Sequence, residues 1–311
     1  MVKITIAGGS GQVAKEVIDA LLATKKHDIT ILTRNVSAPN GSSGITWRTV
    51  DYNDKSNLTE ALRGTHTVLS FVQLLTDPEQ KSQKNLIDAA IAAGVKRFAP
   101  SEYGSAGTVD MSWWAGKEII REYLRTINRN EKYTLFQAGL FLDYLASPYK
   151  TAKHVEPLDT VFDFQHCRAI LIDGHEDAIM TLTSVADLAS VIARAVDYEG
   201  EWPEIRGIRG NRLNFEEIVK VGEDIRGRPF AVDKVKLGDL KTGVLNASWG
   251  LEKSHRAVSD EQAAELKKTV SIGILLSSVQ GAWDVSEEFN RLFPNHQFDD
   301  MKEFLGRVWK A

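Results

Sequence analysis

The sequence predicts an α/β fold, a doubly wound parallel sheet followed by a smaller C-terminal α/β lobe. Three observations indicate this class. A buried strand at residues 4–7 runs into a glycine-rich turn and then an amphipathic helix. Short apolar strands alternate with helices through the first half of the chain, and this alternation becomes irregular beyond residue 145. The 311 residues, 43% of them hydrophobic, suffice for a substantial core.

The first half alternates strands and helices with short connections, which is typical of a parallel sheet covered on both faces. The clearest helix spans residues 81–93, where apolar residues recur on one stripe and Gly94 provides the C-terminal stop. In such a sheet a ligand lies beyond the carboxyl ends of the strands, at the point where the strand order reverses. The predicted strands are 2–7, 29–33, 46–50, 67–72, 96–99 and 133–138.

The second half carries clear helix boundaries. Ser184 followed by Asp187 has the spacing of a helix N-cap, and a further helix begins after Asn214 and ends at Gly227. The remaining predicted elements are a strand at 231–235 and helices near 260–280 and 299–309. Because no repeat or long linker separates the halves, we expect interwoven lobes. Residues 1–148, with return segments near 181–210, form the first lobe, and residues 149–311 form most of the second.

The glycine-rich turn predicts a dinucleotide site. Gly8, Gly11 and Ala14 follow the spacing G-x-x-G-x-x-A between a strand and a helix. Missing side chains at such a turn allow a pyrophosphate to approach the N–H groups at the helix N-terminus. The alternative is a strand-to-helix turn that holds nothing. The turn residues predicted to bind the cofactor are Gly8, Ser10, Gly11, Gln12 and Val13.

Position 34 predicts which dinucleotide binds. Arg34 ends the second strand, about twenty residues after the glycines, where such folds read the adenosine ribose. A planar cationic guanidinium suits the 2′-phosphate of NADP, whereas an acidic residue would suit NAD. The alternative is a solvated surface arginine. Asp51 is a candidate for the adenine amino group, and Gln73 and Ser101 follow later strands, although Asp51 and Gln73 are equally suited to capping loops.

Lys117 is the candidate catalytic residue. It lies one helical turn before Arg121, and two cations on one face suit an anionic cofactor. The predicted buried stripe of this helix comprises Ile119, Ile120, Tyr123, Leu124 and Ile127. Trp113 occupies the position four residues earlier, where many short-chain dehydrogenases carry a catalytic Tyr, and indole is not a useful acid. Lys117 would then move the proton itself, with a pKa lowered by burial; the alternative is an exposed helical lysine.

These residues carry a family resemblance that spans nearly the whole chain. The glycine turn, Arg34, Lys117 with Arg121, and the run Pro100, Ser101, Glu102, Tyr103 and Gly104 resemble the isoflavone reductase and phenylcoumaran benzylic ether reductase group of the NmrA-like atypical short-chain dehydrogenases. The resemblance implies a Rossmann domain that binds NADPH, a general acid/base role for Lys117, and an Arg121 that touches the cofactor. Residues 1–148 would then bind NADP and residues 149–311 mostly substrate.

The substrate is less clearly indicated. Residues 137–141 replace the Asn-containing loop usual in that group. Trp113, Phe141 and Tyr144 are candidates to line a pocket for a flat aromatic molecule, although such residues also fill cores. We expect reduction of a small aromatic or polyketide-like compound, such as an aryl ketone, enone or benzylic ether. The alternatives are an NmrA-type NADP(H)-sensing regulator acting through a protein partner and a non-redox isomerase.

Composition excludes several partners. A net charge of −4 and a pI near 6.0 give no footprint for nucleic acid. The single cysteine, Cys167, cannot form an intramolecular disulfide and lacks the companions of a metal site. No apolar segment reaches the length of a membrane span. The sequence therefore predicts a cytoplasmic enzyme, a monomer or homodimer, with no metal and no membrane association.

Overall fold

The computed structural model describes residues 1–34, 44–75, 77–127, 133–202, 205–253 and 260–310. These residues form two compact units. The first unit comprises Met1–Tyr103, Trp114–Phe136 and Leu188–Arg206, and the second comprises Gly104–Trp113, Gln137–Asp187 and Gly207–Ala311. Residues 137–148, which the sequence analysis placed in the first lobe, lie in the second unit. Leu140 and Phe141 pair there with the strand at 179–183, a non-local contact that the sequence pattern did not reveal.

The secondary structure follows the alternation predicted for the first half and adds several short strands in the second. The strands are β1 Val2–Ala7, β2 His27–Thr33, β3 Ile45–Thr49, β4 Thr67–Ser70, β5 Arg97–Ala99, β6 Leu135–Gln137, β7 Leu140–Phe141, β8 Phe162–Asp163, β9 Arg168–Ile172, β10 Ile179–Thr183, β11 Ile205–Gly207, β12 Asn211–Asn214 and β13 Ala231–Val235. The α-helices are α1 Gln12–Thr24, α2 Lys55–Leu62, α3 Lys81–Ala92, α4 Ala115–Ile127, α5 Val185–Asp197, α6 Phe215–Arg226, α7 Leu237–Lys241, α8 Asp260–Val279, α9 Glu288–Leu292 and α10 Met301–Trp309.

The first unit is built on a five-stranded sheet in the order β3-β2-β1-β4-β5, with every pair parallel. Successive residues of a strand face opposite sides of the sheet, and in β1 both faces are buried, since Ile4 and Ile6 lie on one face and Thr5 and Ala7 on the other. The predicted Rossmann arrangement is therefore confirmed. The strand order reverses between β1 and β4, so the carboxyl ends of these two strands border the crevice where this fold binds ligands.

Helices α2, α3 and α4 contribute to one hydrophobic core of the first unit. Leu62, Leu86, Phe98 and Leu124 pack in this cluster, each at most 7% exposed. Ile119, predicted to belong to the buried stripe of α4, is instead 40% exposed. Ile120 and Leu124 of the predicted stripe are buried, and the buried face of the helix extends to Lys117 and Arg121.

Helix α8 is the longest, and among the described residues no helix is long and apolar enough to cross a bilayer. The second unit contains two three-stranded sheets, in the orders β12-β10-β7 and β13-β9-β8. Its predicted helix boundaries are confirmed. Asn214 and Glu217 form a reciprocal capping box at the start of α6, and Gly227 ends the helix with φ +65°. The Ser184 hydroxyl accepts a hydrogen bond from the Asp187 N–H at the start of α5.

Candidate cofactor and catalytic site

The glycine turn, which follows β1, packs closely against the main chain that follows β4. Gly8 has φ +73°, and a Cβ there would lie 2.5 Å from the Phe71 carbonyl oxygen and 2.9 Å from the Val72 nitrogen. The Gly11 N–H donates to the Gly8 carbonyl at 3.0 Å, which closes the turn directly before α1. Gly11 is the N-cap of α1 and supplies no side-chain cap. The first turn of α1 therefore presents backbone N–H groups and the positive end of the helix dipole without a capping side chain.

Arg34 and Tyr52 accompany this turn. Arg34 lies exposed at the end of β2, and Tyr52 is buried just after β3. Burial raises the pKa of Tyr52 to about 12, while the main chain of Gly8 and the charge of Arg34 act in the opposite direction. Gly8 and Arg34 therefore lie close to the Tyr52 phenol at the carboxyl edge of the sheet. Tyr52 was not among the predicted site residues, although its place directly after a strand was a usable signal.

The other predicted cofactor residues lie along the same edge with different surroundings. Ser10 is exposed, while Gln12, Val13 and Ser101 are half-buried. The Asp51 carboxylate accepts hydrogen bonds from the Asn53 main-chain N–H at 2.8 Å and from its side chain at 3.3 Å. Gln73 is exposed, and its side-chain oxygen accepts a bond from the Leu75 N–H at 3.2 Å. Asp51 and Gln73 thus make the loop-capping contacts that the sequence analysis left open.

Lys117 is buried, only 4% exposed, in the first turn of α4. The interpretation as an exposed helical lysine is therefore wrong. Its ammonium donates a hydrogen bond to the Glu102 carbonyl oxygen at 2.6 Å and lies 3.6 Å from the ring centroid of Trp114. Burial lowers the pKa of Lys117 to about 7; the Arg121 charge also lowers it, and the Glu102 charge opposes the shift. The amine can both donate and accept a proton near neutral pH.

Arg121 is held by Glu102. Its Nε donates to Glu102 Oε1 at 3.0 Å, and its terminal nitrogen donates to Oε2 at 2.6 Å. Both side chains are buried, at 6% and 1% exposure. A bidentate, charge-assisted pair of this kind fixes both groups in position. The carboxylate raises the pKa of Arg121 despite the opposing effect of burial.

Tyr103 joins the lysine to the glycine turn. It has φ +48°, its N–H donates to the Phe136 carbonyl at 2.8 Å, and its ring stacks on Phe71 with centroids 4.4 Å apart. Its buried hydroxyl has no hydrogen-bond partner among the described residues. Burial and the adjacent Glu102 charge raise the pKa of Tyr103 well above its usual value, so the phenol stays neutral. Consecutive contacts thus run from Gly8 through Phe71, Tyr103 and Glu102 to Lys117.

The predicted substrate residues all belong to the second unit. Phe141 and Tyr144 meet edge to face with ring centroids 5.5 Å apart. Trp113 packs on α8, where a Cβ at Gly273 would lie 2.4 Å from its indole. Phe141 is buried, whereas Trp113 and Tyr144 are half-buried. The structure brings Phe141 and Tyr144 together and places Trp113 against a helix; their binding of substrate stays a prediction.

Three residues around Lys117 were not among the predicted site residues: Glu102, Tyr103 and Trp114. Glu102 and Tyr103 stood in the motif that carried the family resemblance, directly after a predicted strand, but no role followed from the pattern. Trp114 ends the short 3₁₀ helix before α4, and no spacing pattern predicted its contact with Lys117. For Glu102 and Tyr103 the usable signal is the strand-end position, because side chains following neighbouring parallel strands meet at one edge of the sheet.

Comparisons with known proteins identify the family of the chain. The profile of the NmrA-like family matches residues 2–305. Oxidoreductase swnN of Metarhizium robertsii is 25% identical, with 99% of this chain and 98% of the relative covered, and oxidoreductase BOA1 of Botryotinia fuckeliana is 27% identical with the same coverage.

Among solved structures, the fold is similar to that of the NADPH-dependent quinone oxidoreductase QOR2 of Escherichia coli complexed with NADPH. Its TM-score is 0.69 at 21% identity, covering 98% of this chain and 99% of that one. An isoflavone reductase structure gives a TM-score of 0.70 at 18% identity, covering 98% of each chain. Since the family profile spans nearly the whole sequence, the chain belongs to the NmrA-like family.

Proposed function

We propose that this protein is an NADPH-dependent reductase of a small aromatic or polyketide-like compound, with Lys117 as the general acid/base. The observation that carries the proposal is the buried Lys117 ammonium, hydrogen-bonded to Glu102 and with its pKa lowered to about 7. A buried lysine makes the folded protein less stable than an apolar residue would at the same position. In return, its amine can exchange a proton at neutral pH.

The residues at the carboxyl edge of the sheet fit NADPH. The contact of Gly8 with the Phe71 main chain leaves no room for a side chain, and the first turn of α1 offers uncapped N–H groups to a pyrophosphate. Arg34 stands exposed at the end of β2, where its guanidinium suits a 2′-phosphate. Gly8, Gly11 and Arg34 would therefore hold the cofactor, together with the half-buried Gln12, Val13 and Ser101. We also infer that the protein is cytoplasmic.

The chain's own residues would supply the proton. NADPH, when bound, supplies a hydride to an electrophilic carbon of the substrate. Lys117 donates a proton from Nζ to the oxyanion that develops on the substrate, and the Glu102 carbonyl orients the ammonium. With a pKa of about 7, the neutral amine left behind regains a proton from solvent without a large penalty. Arg121, fixed by Glu102, keeps a positive charge beside this site.

The descriptions of two structural neighbours support the proposed substrate class. The Escherichia coli neighbour is described as a quinone oxidoreductase, and quinones are conjugated diones that form an oxyanion on hydride addition. Another structural neighbour was solved with NADP⁺ and pinoresinol, at a TM-score of 0.70 and 18% identity. Aryl ketones, enones, quinones and benzylic ethers therefore form the panel of choice.

The test measures binding and turnover separately. Quenching of tryptophan fluorescence gives the affinities for NADPH and NADH, and loss of absorbance at the nicotinamide band reports oxidation with each panel compound. We expect the protein to bind NADPH more tightly than NADH and to oxidise it with a panel member. Lys117→Met should lose turnover while retaining NADPH affinity. Lys84→Met is the matched control, because Lys84 also lies over an aromatic ring, at 5.7 Å from the Tyr123 centroid, but on α3.

The outcomes separate the alternatives. Tight NADPH binding with no oxidation by any panel compound would favour an NADP(H)-sensing regulator or a non-redox isomerase. Turnover that survives Lys117→Met would remove the proton-transfer role from this residue. Failure to bind either nucleotide would overturn the whole proposal.

A further inference from the structure

Glu102 contacts both buried cations of α4 with different parts of the same residue. Its main-chain carbonyl accepts a hydrogen bond from the Lys117 ammonium at 2.6 Å, and its carboxylate accepts two hydrogen bonds from Arg121, at 3.0 and 2.6 Å. Glu102 is 4% exposed, Lys117 4% and Arg121 5%. The three charges therefore interact with little screening by water.

We propose that Glu102 is a positioning residue that sets the protonation state of Lys117, with Arg121 as the opposing charge. The inference rests on the proposed proton-transfer role of Lys117 for its catalytic meaning. Its electrostatic content concerns only the folded protein and can be measured without substrate.

Counting charges gives the direction of each effect. With Lys117 protonated, the Lys117, Glu102 and Arg121 group carries +1, and with Lys117 neutral it carries zero, so burial favours the neutral amine. Removal of the Glu102 charge would change these totals to +2 and +1, which disfavours the ammonium further. Removal of the Arg121 charge would change them to zero and −1, which favours it. The two substitutions should thus move Lys117 in opposite directions.

The other groups near Lys117 are exposed or uncharged. On α4, Arg121 faces it, and Glu118 reaches Arg121 at 3.6 Å but is 42% exposed. The Trp114 ring stabilises the ammonium by a cation–π contact. After β5, Glu102 is the charged group in contact, and the neighbouring Tyr103 has a pKa raised well above its usual value and stays uncharged. Glu102 and Arg121 are therefore the buried charges that act on the protonation state of Lys117.

The experiment titrates Lys117 directly. Protein labelled with ¹³C at the lysine ε-carbon is followed by NMR from pH 5.5 to 10, roughly the range that brackets the usual and lowered lysine values, and the Lys117 signal is assigned by its loss in Lys117→Arg. We expect Glu102→Gln to lower the midpoint and Arg121→Met to raise it, each by on the order of one pH unit. Glu102→Asp, which keeps the charge, should return the midpoint toward the wild-type value. Glu118→Gln is the control and should leave it near wild type, because an exposed charge is screened.

The NMR midpoints of Lys117 test the role of Glu102 even if no turnover is detected. A Glu102→Gln midpoint equal to that of Glu118→Gln, or a shift in the same direction for Glu102→Gln and Arg121→Met, would overturn the proposal. If Glu102→Gln does not fold, Arg121→Met alone tests the sign. Where turnover exists, the pH limb of kcat/KM should move with the NMR midpoint. Shifts in the NMR midpoint without any reductase activity would leave this inference standing and refute the proposed function.

Discussion

The contact between the glycine turn and β4 makes a sharp prediction for Gly8→Ala. Gly8 has φ +73°, and the added Cβ would lie 2.5 Å from the Phe71 oxygen, 2.6 Å from its carbonyl carbon and 2.9 Å from the Val72 nitrogen. The left-handed backbone costs an alanine about 1–2 kcal/mol. Because the obstructing atoms are main chain, they cannot rotate away, and forcing a methyl group into closely packed space adds about 1–3 kcal/mol. Gly8→Ala should therefore destabilise the protein by about 2–5 kcal/mol.

Gly64→Ala isolates the backbone part of this cost. Gly64 has φ +76°, and a Cβ there would meet nothing within 4 Å. We expect Gly64→Ala to lose only about 1–2 kcal/mol in the free energy of unfolding, measured by urea denaturation. The difference between the two variants reports the collision with Phe71. The slope of the free energy against urea should stay at the wild-type value in both.

Cofactor affinity gives a second readout for the same pair. Gly8→Ala should weaken NADPH binding, since relief of the collision must shift the turn or β4, whereas Gly64→Ala should leave binding unchanged. Equal destabilisation by the two variants would refute the reasoning, because it would mean that the main chain at Phe71 does not confine Gly8.

Three further substitutions test the charges and the orphan hydroxyl. Arg34→Ala should weaken NADPH binding by about tenfold or more and NADH binding little, as fluorescence titration will show, because a charge-assisted bond to the 2′-phosphate is lost. Lys117→Met should be most stabilising at and below about pH 7, because the pKa of Lys117 falls from 10.5 unfolded to about 7 folded and wild-type stability rises between these two values. Urea titrations at pH 7.5, 8.5 and 9.5 should show the advantage of the variant shrinking by about 1 kcal/mol per pH unit; a constant difference would exclude the lowered pKa. Tyr103→Phe should raise the free energy of unfolding by about 1 kcal/mol, since its hydroxyl is buried without a partner, and a loss of stability would reveal a partner for that hydroxyl.

Local signals in the sequence predicted much of the fold. Asn214 with Glu217, and Gly227 at the other end of α6, act within a few residues of their own position, and the structure reproduces both. Strands β1 to β4 of the first sheet are short segments rich in β-branched residues, a local pattern that also predicts their position. Strands β9 and β10 escaped prediction because their parallel partners, β13 and β7, lie far along the chain. Strand β8 is only two residues long, which is too short to show a periodic pattern.

In the candidate site, too, local features could be predicted from the sequence and contacts between distant residues could not. The glycine spacing and Arg34 are local features, and the structure places both at the carboxyl edge of the sheet. The ion pair of Arg121 with Glu102 joins residues 19 positions apart in different elements, and no periodicity predicts it. The loop contacts of Asp51 with Asn53 are local, but the sequence alone could not choose between them and a ligand.

Helix α4 shows why the catalytic candidate was the hardest residue to place. An amphipathic pattern assigns cations to solvent, and by that rule Ile119 belongs inside and Lys117 outside. The structure reverses both, leaving Ile119 40% exposed and Lys117 4% exposed. Burial of the Lys117, Glu102 and Arg121 charges is weak as a source of stability, since well-packed apolar residues of similar volume serve a core as well or better. A local rule broken at such an energetic cost, at the strand edge where this fold binds ligands, is the expected mark of a site built for proton transfer.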